Sequence, residues 1–356
     1  MPPSARMHRK RATITDVAAH AGVSKATVSA VLNASAAVRG ATRERVLSAV
    51  EVLDYRPPTG AGAAAVRRSA RALGLLIKEA DNPYYAGIVA GARAAAEARG
   101  YTLLVASSEG DYDAERRAVE LLHAKEVDGL LVTPVLDQHA DLSHLFELKR
   151  RRYPFVLLEQ VRGVPASLVD VDNVQAASDA AAHLVALGHT RLAHFAGPGY
   201  SMHTHERVHG MRRACSASAI LFTDAHVVAA GAGLDDGYRA ALAYFGAFRD
   251  GGRPTGVTCY NDLVAVGVCR ALAELGLSVP DDVSVVGFDD IPLAEYLPVP
   301  LTTVRVPQAA MGRLAAELLV AQVEAPTPPP PERHFLAAPL VARASTRAVA
   351  AARRTR

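Results

Sequence analysis

Residues 13–33 read TITDVAAHAGVSKATVSAVLN, two short apolar patterns on either side of a single glycine. Thr13 with Asp16 three residues on has the form of a capping box, where a hydroxyl and an acid take amides that a helix start leaves unpaired. Val17, Ala18 and Ala21 then line one edge, and Gly22 allows a sharp turn. Ser24 is placed to cap a second helix whose inner edge is Val28, Val31 and Leu32. Ala18 is small where two helices must cross closely. Two such helices cannot hold a core alone, and TRERVLSAVEVLDYRP (42–57) supplies a third. It is capped by Thr42 and covers the pair with Val46, Leu47, Val50 and Leu53. The spacing predicts a helix-turn-helix, its second helix presenting Lys25, Ala26, Thr27, Ser29 and Ala30 outward.

Charge supports a nucleic-acid role for this head. Residues 1–72 hold 12 Lys and Arg against 4 Asp and Glu, a net +8 that leaves the remainder at −5 within a chain total of +3. A basic head on a mildly acidic body fits DNA contact by the head alone. No signal-peptide pattern and no uninterrupted apolar run of membrane-spanning length is expected from the sequence, so the expected location is the cytoplasm. The three cysteines (Cys215, Cys259 and Cys269) stand far apart and form no disulfide framework, as suits a reducing compartment.

The 356 residues exceed one ordinary domain. After a Pro-, Gly- and Ala-rich stretch (YRPPTGAGAAAVRRSARA, 55–72) the pattern becomes short Val/Leu runs alternating with amphipathic helices. Continuous apolar strands of this kind belong to parallel sheets covered on both faces. Some ten strands divide naturally into two similar α/β lobes with a ligand cleft between them. The Pro run APTPPPPER (325–333) marks an exposed loop.

The head, with NPYYAGIVAGARAAAEARGY, HLVALGH, ERVHGMRRA and YNDLVAVGVCRALAELGLSVPDDVSVVGFDD, resembles the lactose-repressor (LacI-type) transcriptional regulators from about Thr13 to Thr346. The resemblance implies a type I periplasmic-binding-protein-like core crossed three times by the chain, and a homodimer placing two heads on a near-palindromic double-stranded DNA operator. The expected division is a basic tail (1–12), a helix-turn-helix domain (13–57), a hinge (58–72), an effector-binding core (73–346) and a basic, frayed tail (347–356). Within the core, lobe 1 is expected at about 73–166 and 297–325, and lobe 2 at about 167–296 and 333–346.

On the head, Thr13, Ser24, Thr27, Ser29 and Asn33 carry short polar groups suited to phosphates or bases, and Lys25 has the reach to read a guanine. Ala30 departs from the arginine that LacI-type proteins often carry there. Their minor-groove leucine falls at Ala64, or at Ala65 with one insertion. A lone methyl cannot offset base unstacking, so weak central kinking is expected.

In the core, matching motifs place effector contacts on Asn82, Tyr84, Tyr85, Glu159, Asn173, Arg207, Asn261, Asp262 and Asp289. Paired acceptors with an Arg fork suit hydroxyls, and tyrosine faces suit C–H surfaces. The resemblance favours a sugar or sugar derivative as the small-molecule effector, purines being also found on this scaffold. His203, His205 and His209 raise the question of zinc, but no cysteine or fixed fourth ligand accompanies them. No metal or cofactor is therefore assigned, and His203 and His205 are taken as effector contacts. Enzymatic signatures are missing: no G-x-S-x-G, no Walker loop, no H-E-x-x-H. The reading is a ligand-responsive DNA-binding repressor. The alternative is a solute-binding protein sharing the core.

Overall fold

The computed structural model describes residues 12–32, 38, 40–53, 55, 71–125, 127–136, 142–248 and 252–349. It divides into two units, Met1–Ala70 and Arg71–Arg356.

The first unit is a three-helix head: α1 (Ile14–Ala21), α2 (Lys25–Leu32) and α3 (Gly40–Val52). The capping box is present. Thr13 N and Oγ1 each donate to Asp16 Oδ2 at 2.7 Å, and Asp16 N returns a bond to Thr13 Oγ1 at 3.4 Å. Gly22 turns the chain at φ +63°, a left-handed conformation that costs glycine little. Ser24 Oγ then accepts from Thr27 N at 3.1 Å. Val17, Val28 and Val46 meet in a miniature core closed by Ala49 and Tyr55.

Two expectations for α3 need correction. The helix begins at Gly40, so Thr42 is an interior residue rather than a cap. Its inward stripe runs through Val46, Ala49, Val50 and Leu53 at helical spacing, which leaves Leu47 exposed.

The second unit holds two six-stranded sheets with the same strand order. In chain order it contains β1 (Ala72–Ile77), α4 (Pro83–Ala98), β2 (Thr102–Ser107), α5 (Tyr112–Ala124), β3 (Gly129–Val132), α6 (Ser143–Arg150), β4 (Phe155–Leu157), β5 (Ser167–Val171) and α7 (Asn173–Ala186). There follow β6 (Leu192–Ala196), α8 (Met202–Ala217), β7 (Val227–Ala229), α9 (Leu234–Gly246), β8 (Gly256–Cys259), α10 (Asp262–Glu274), β9 (Ser284–Asp289) and α11 (Leu293–Tyr296). The last elements are β10 (Thr302–Arg305), α12 (Gln308–Glu324), β11 (Arg333–Leu336) and β12 (Leu340–Val341).

The strand orders are β2-β1-β3-β4-β5-β11 and β7-β6-β8-β9-β10-β12. Every pairing is parallel except β10 with β12. The order reverses beside β1 and beside β6, and a doubly wound sheet opens its ligand crevice at the carboxyl ends of such strands.

The chain passes between the lobes three times, from β5 into α7, from β10 into α12, and from β11 into β12. This shifts the expected lobe boundaries. Residues 167–171 and 333–336 pair with each other in the first sheet rather than the second. Residues 302–305 lie in the second sheet beside β9 rather than in lobe 1. These strands are short, and two of them, RHFL and TTVR, are half or more polar, so local pattern carries no sheet assignment. The frayed C-terminal tail is also corrected at its start: Arg347 N donates to Ser284 Oγ at 3.1 Å, and Val349 N donates to Leu187 O at 2.9 Å. No helix among the described residues is long and apolar enough to cross a membrane.

Helices α4 and α12 cover one face of the first sheet and touch backbone to backbone. A Cβ on Gly91 would lie 1.9 Å from Ala309 O, and one on Gly312 would lie 2.1 Å from Ile88 O. Neither helix can yield without uncovering the sheet. Gly91→Val should therefore lower stability by about 1–3 kcal/mol or more through overpacking. Urea unfolding with an unchanged midpoint would show that the two helices can slide apart.

Candidate functional site

On the head, Lys25 and Ala26 are exposed at the first turn of α2, while Thr27, Ser29 and Ala30 are half-buried. Ser24 and Thr27 also bond each other at 2.9 Å, so part of their polar capacity serves the cap. Lys25 is the one long donor on this turn. Thr13 is likewise engaged by the capping box. Asn33, Ala64 and Ala65 lie outside the described residues.

In the core, the carboxyl ends of both sheets face one another. Lys78 follows β1, Thr133 follows β3, and Leu158 and Glu159 follow β4; Tyr260 and Asn261 follow β8, and Asp289 ends β9. These residues, with Glu79, Asn82, Tyr84, Tyr85, His203 and Arg207, line one cavity. Its volume is about 20 Å³, far below the roughly 300–1,000 Å³ of small-molecule sites. Admitting a ligand therefore requires the lobes to part.

Polar bonds across the cleft hold it closed. Glu159, on lobe 1, is buried and ion-paired with Lys78. Its Oε1 accepts from Met202 N at 2.6 Å, Ser201 Oγ at 2.9 Å and His203 N at 3.4 Å, all at the start of α8 on lobe 2. A carboxylate at a helix N-terminus meets unpaired amides and a favourable dipole. Burial alone would raise the Glu159 pKa. Lys78, His203 and the hydrogen bonds outweigh it and bring the value to about 2. Tyr200 Oη also donates across the cleft to Glu79 Oε1 at 3.1 Å. Gln308 Nε2 of α12 donates to Asp289 O at 2.5 Å.

Arg207 occupies the lobe 2 wall. Its guanidinium lies 3.6 Å from the Phe288 ring centroid and 4.8 Å from that of Tyr260. Its Nε donates to Asn173 Oδ1 at 3.1 Å, its Nη1 donates to Tyr260 O, and its Nη2 stands 4.0 Å from Asp289 Oδ1. Burial pushes the Asp289 carboxyl up to about 7, with Arg207 only partly opposing it. Asp289 also holds φ at +115°, a sparsely populated conformation costing on the order of 1–3 kcal/mol. Gln308 fixes its carbonyl, and Arg305 and Arg343 hold the next residue, Asp290, by ion pairs.

Asn82, Tyr84, Tyr85, Glu159, His203, Arg207, Asn261 and Asp289 thus gather on the cavity wall. Asn173 stands just behind, orienting Arg207. Asn261 spends its side chain locally, accepting from Val264 N at 2.8 Å and donating to Ala232 O at 2.9 Å. Besides Asn173, two expected contacts do not reach the cavity wall. His205 is exposed and does not line the cavity, because it lies two residues along α8 from His203 and so faces away. Asp262 is buried beneath β10, where it accepts from Thr303 Oγ1 at 2.5 Å and Ile291 N at 2.9 Å. Its task is to anchor the strand. Lys78, Glu79, Thr133, Tyr260 and Asp170 escaped the sequence reading. Their common signal is a polar residue within or just after a buried strand, at its carboxyl end.

The chain is similar to known proteins along most of its length. Residues 13–58 match the model for bacterial regulatory proteins of the lacI family, and 181–346 match a periplasmic binding protein-like domain. The HTH-type transcriptional regulator reg1 of Streptomyces lividans is 36% identical over 347 residues, covering 94% of this chain and 96% of that protein. The chain belongs to the LacI family. The repressor PurR of Vibrio vulnificus is 33% identical, covering 88% of this chain and 92% of that protein. Among solved structures, a complex of the regulator CelR with cellobiose aligns at a TM-score of 0.70 and 33% identity, covering 94% of this chain and 100% of that one. The lac repressor dimer bound to operator and the anti-inducer ONPF aligns at 0.69 and 28%, covering 95% and 100%. LacI-family relatives are transcriptional regulators, not enzymes.

The buried Lys78–Glu159 pair gives a test of the cleft's electrostatics. Lys78→Met leaves a buried carboxylate without its cation and should cost about 3–5 kcal/mol. The double variant Lys78→Met/Glu159→Leu should recover most of that loss, and a denaturant double-mutant cycle measures the difference. Equal stabilities for the two variants would mean that the α8 amides alone satisfy Glu159.

Proposed function

We propose that this LacI-family regulator is a homodimeric repressor acting in the cytoplasm, placing two helix-turn-helix heads on a near-palindromic operator. A polyhydroxylated small molecule, a sugar or sugar derivative, binds between the core lobes and changes operator affinity. The observation carrying the reading is the cleft's polar lining on both lobes: an Arg fork, carboxylates and amides of the kind that bind hydroxyls, with tyrosine rings beside them. The cellobiose held by CelR, at 33% identity, supports the ligand class. Because the polar groups now bond across the cleft, a ligand with several hydroxyls can replace those partners and alter the balance between parted and closed lobes.

The discriminating experiment is a gel-shift of the full chain on DNA upstream of its own gene, with ligands chosen by a thermal-shift screen of sugars, polyols and nucleobases. A solute-binding protein without a regulatory role would shift no DNA. Asp289→Ala should keep operator affinity within about twofold while abolishing the ligand's effect on it. An unchanged ligand response in that variant would remove Asp289 from the site.

Lys25 is assigned the guanine contact. Lys25→Ala should cost about 1–3 kcal/mol at the operator and relax preference at one base position. A uniform loss across all sequences, accompanied by a smaller salt dependence, would assign it to phosphate instead.

A further inference from the structure

The structure brings together, at the cleft, three groups that belong to no single stretch of sequence. Asp170 comes from β5 of lobe 1, and His203 and Glu206 stand three residues apart on one face of α8 of lobe 2. One donor atom from each lies within 4.8 Å of the other two. We propose that Asp170, His203 and Glu206 form a binding site for a divalent transition-metal ion of the zinc type, clamping the two lobes together.

The surroundings of the donors resemble a metal site's outer shell more than an ordinary ion pair. Asp170 Oδ1 is held by Val171 N at 2.8 Å and Asn173 Nδ2 at 3.3 Å, which leaves Oδ2 directed at His203 Nε2, 3.1 Å away. The opposite ring nitrogen, Nδ1, faces Glu159 Oε2 at 3.9 Å. A metal-ligating imidazole commonly turns its second nitrogen toward a carboxylate, which fixes the tautomer. Coordination through Nε2 requires that nitrogen to give up its proton to solvent, replaces the bond to Asp170 with coordination of both atoms, and leaves the ring's remaining N–H at Nδ1, on the Glu159 side. Glu206 completes the set with a half-buried carboxylate that makes no hydrogen bond or ion pair among the described residues.

Charge favours a cation here. Among the described residues, Glu79, Glu159, Asp170, Glu206 and Asp289 stand at and beside the cleft, and Lys78 and Arg207, which face them, are engaged with Glu159 and with Asn173, Tyr260 and Asp289. Burial raises the carboxyl pKa of Glu79, Glu206 and Asp289, a penalty that a bound cation would offset. One imidazole and two carboxylates give a borderline donor set suited to zinc, with a fourth position left for water or a ligand hydroxyl. His205 and His209, the other histidines of this segment, are exposed on α8 and take no part.

The test is calorimetric titration of the untagged full chain, freed of metal by chelator, with Zn²⁺, followed by Co²⁺ absorption as a report of coordination. The expected result is one ion per chain, bound at least tenfold more weakly by His203→Gln and by Glu206→Gln, and unchanged in His205→Gln and His209→Gln. Glu206 is half-buried, and thermal unfolding of Glu206→Gln without metal should match the parent, separating ligand loss from misfolding. The clamp predicts a rise in the parent's unfolding midpoint with Zn²⁺ that Glu206→Gln lacks. Absence of stoichiometric binding, or binding that survives both His203→Gln and Glu206→Gln, would overturn the proposal. Neither result depends on identifying the effector or the operator, so the regulatory reading stands or falls separately.

Discussion

The closed cleft rests on the Glu159 carboxylate. Removing a carboxylate from water is expensive, and a single ion pair often fails to repay it. Here the compensation is divided between the lobes. Lys78 supplies the charge from the end of β1 on the same lobe, while the Ser201 hydroxyl and the amides of Met202 and His203 come from the other. When the lobes part, Glu159 keeps its cation but loses its helix N-terminus, and water must replace those donors. The closed arrangement thus depends on a contact that a competing polar ligand can weaken or reproduce.

That contact exists because of the strand order. β1 and β4 flank β3 in the first sheet, so their carboxyl ends bring Lys78 and Glu159 within reach of each other. The second sheet repeats the order, and the chain leaving β6 enters α8 with its N-terminus toward the cleft. Three passages between the lobes limit how they can move. With three strands of chain spanning the gap, opening about that connection is easier than sliding or twisting. Asp289 and Gln308, joined by a hydrogen bond, flank the second passage. Strain held at Asp289 is therefore placed where opening and closing would load it or release it.

How much of this was legible in the sequence depends on the range of each interaction. The head is local: Thr13 with Asp16, Gly22 and Ser24 make contacts within a few residues, and their spacing announces them. The parallel sheets were legible as Val/Leu runs, but membership was not. SLVDV at 167–171 and TTVR at 302–305 pair with strands chosen by topology, which no short-range pattern encodes. The same reasoning divides the site. Arg207 and Asp289 sit in recognisable stretches and do reach the cavity. Asp262 shares such a stretch, yet its place at the start of α10 turns it under β10. His205 failed through helical phase alone, since two residues along a helix change faces. Glu206 was passed over because its partner, Asp170, lies 36 positions earlier and on the other lobe.

The bonds already present limit which ligands the cleft can accept. Arg207, Asn173 and Glu159 all have partners in the closed form, and Asp289 faces Arg207 across 4.0 Å. An apolar ligand wedged between the lobes would break several of these bonds and replace none, at about 1–3 kcal/mol for each buried group left unsatisfied. A ligand with a single hydroxyl could restore one. On the proposed reading, a molecule carrying donors and acceptors around its perimeter replaces more of these bonds than an apolar one, and its C–H faces would meet the tyrosine rings. Selectivity then follows from the penalty on incomplete replacement: a ligand lacking one hydroxyl leaves one wall group without a partner, a larger loss than a missing contact on an open surface.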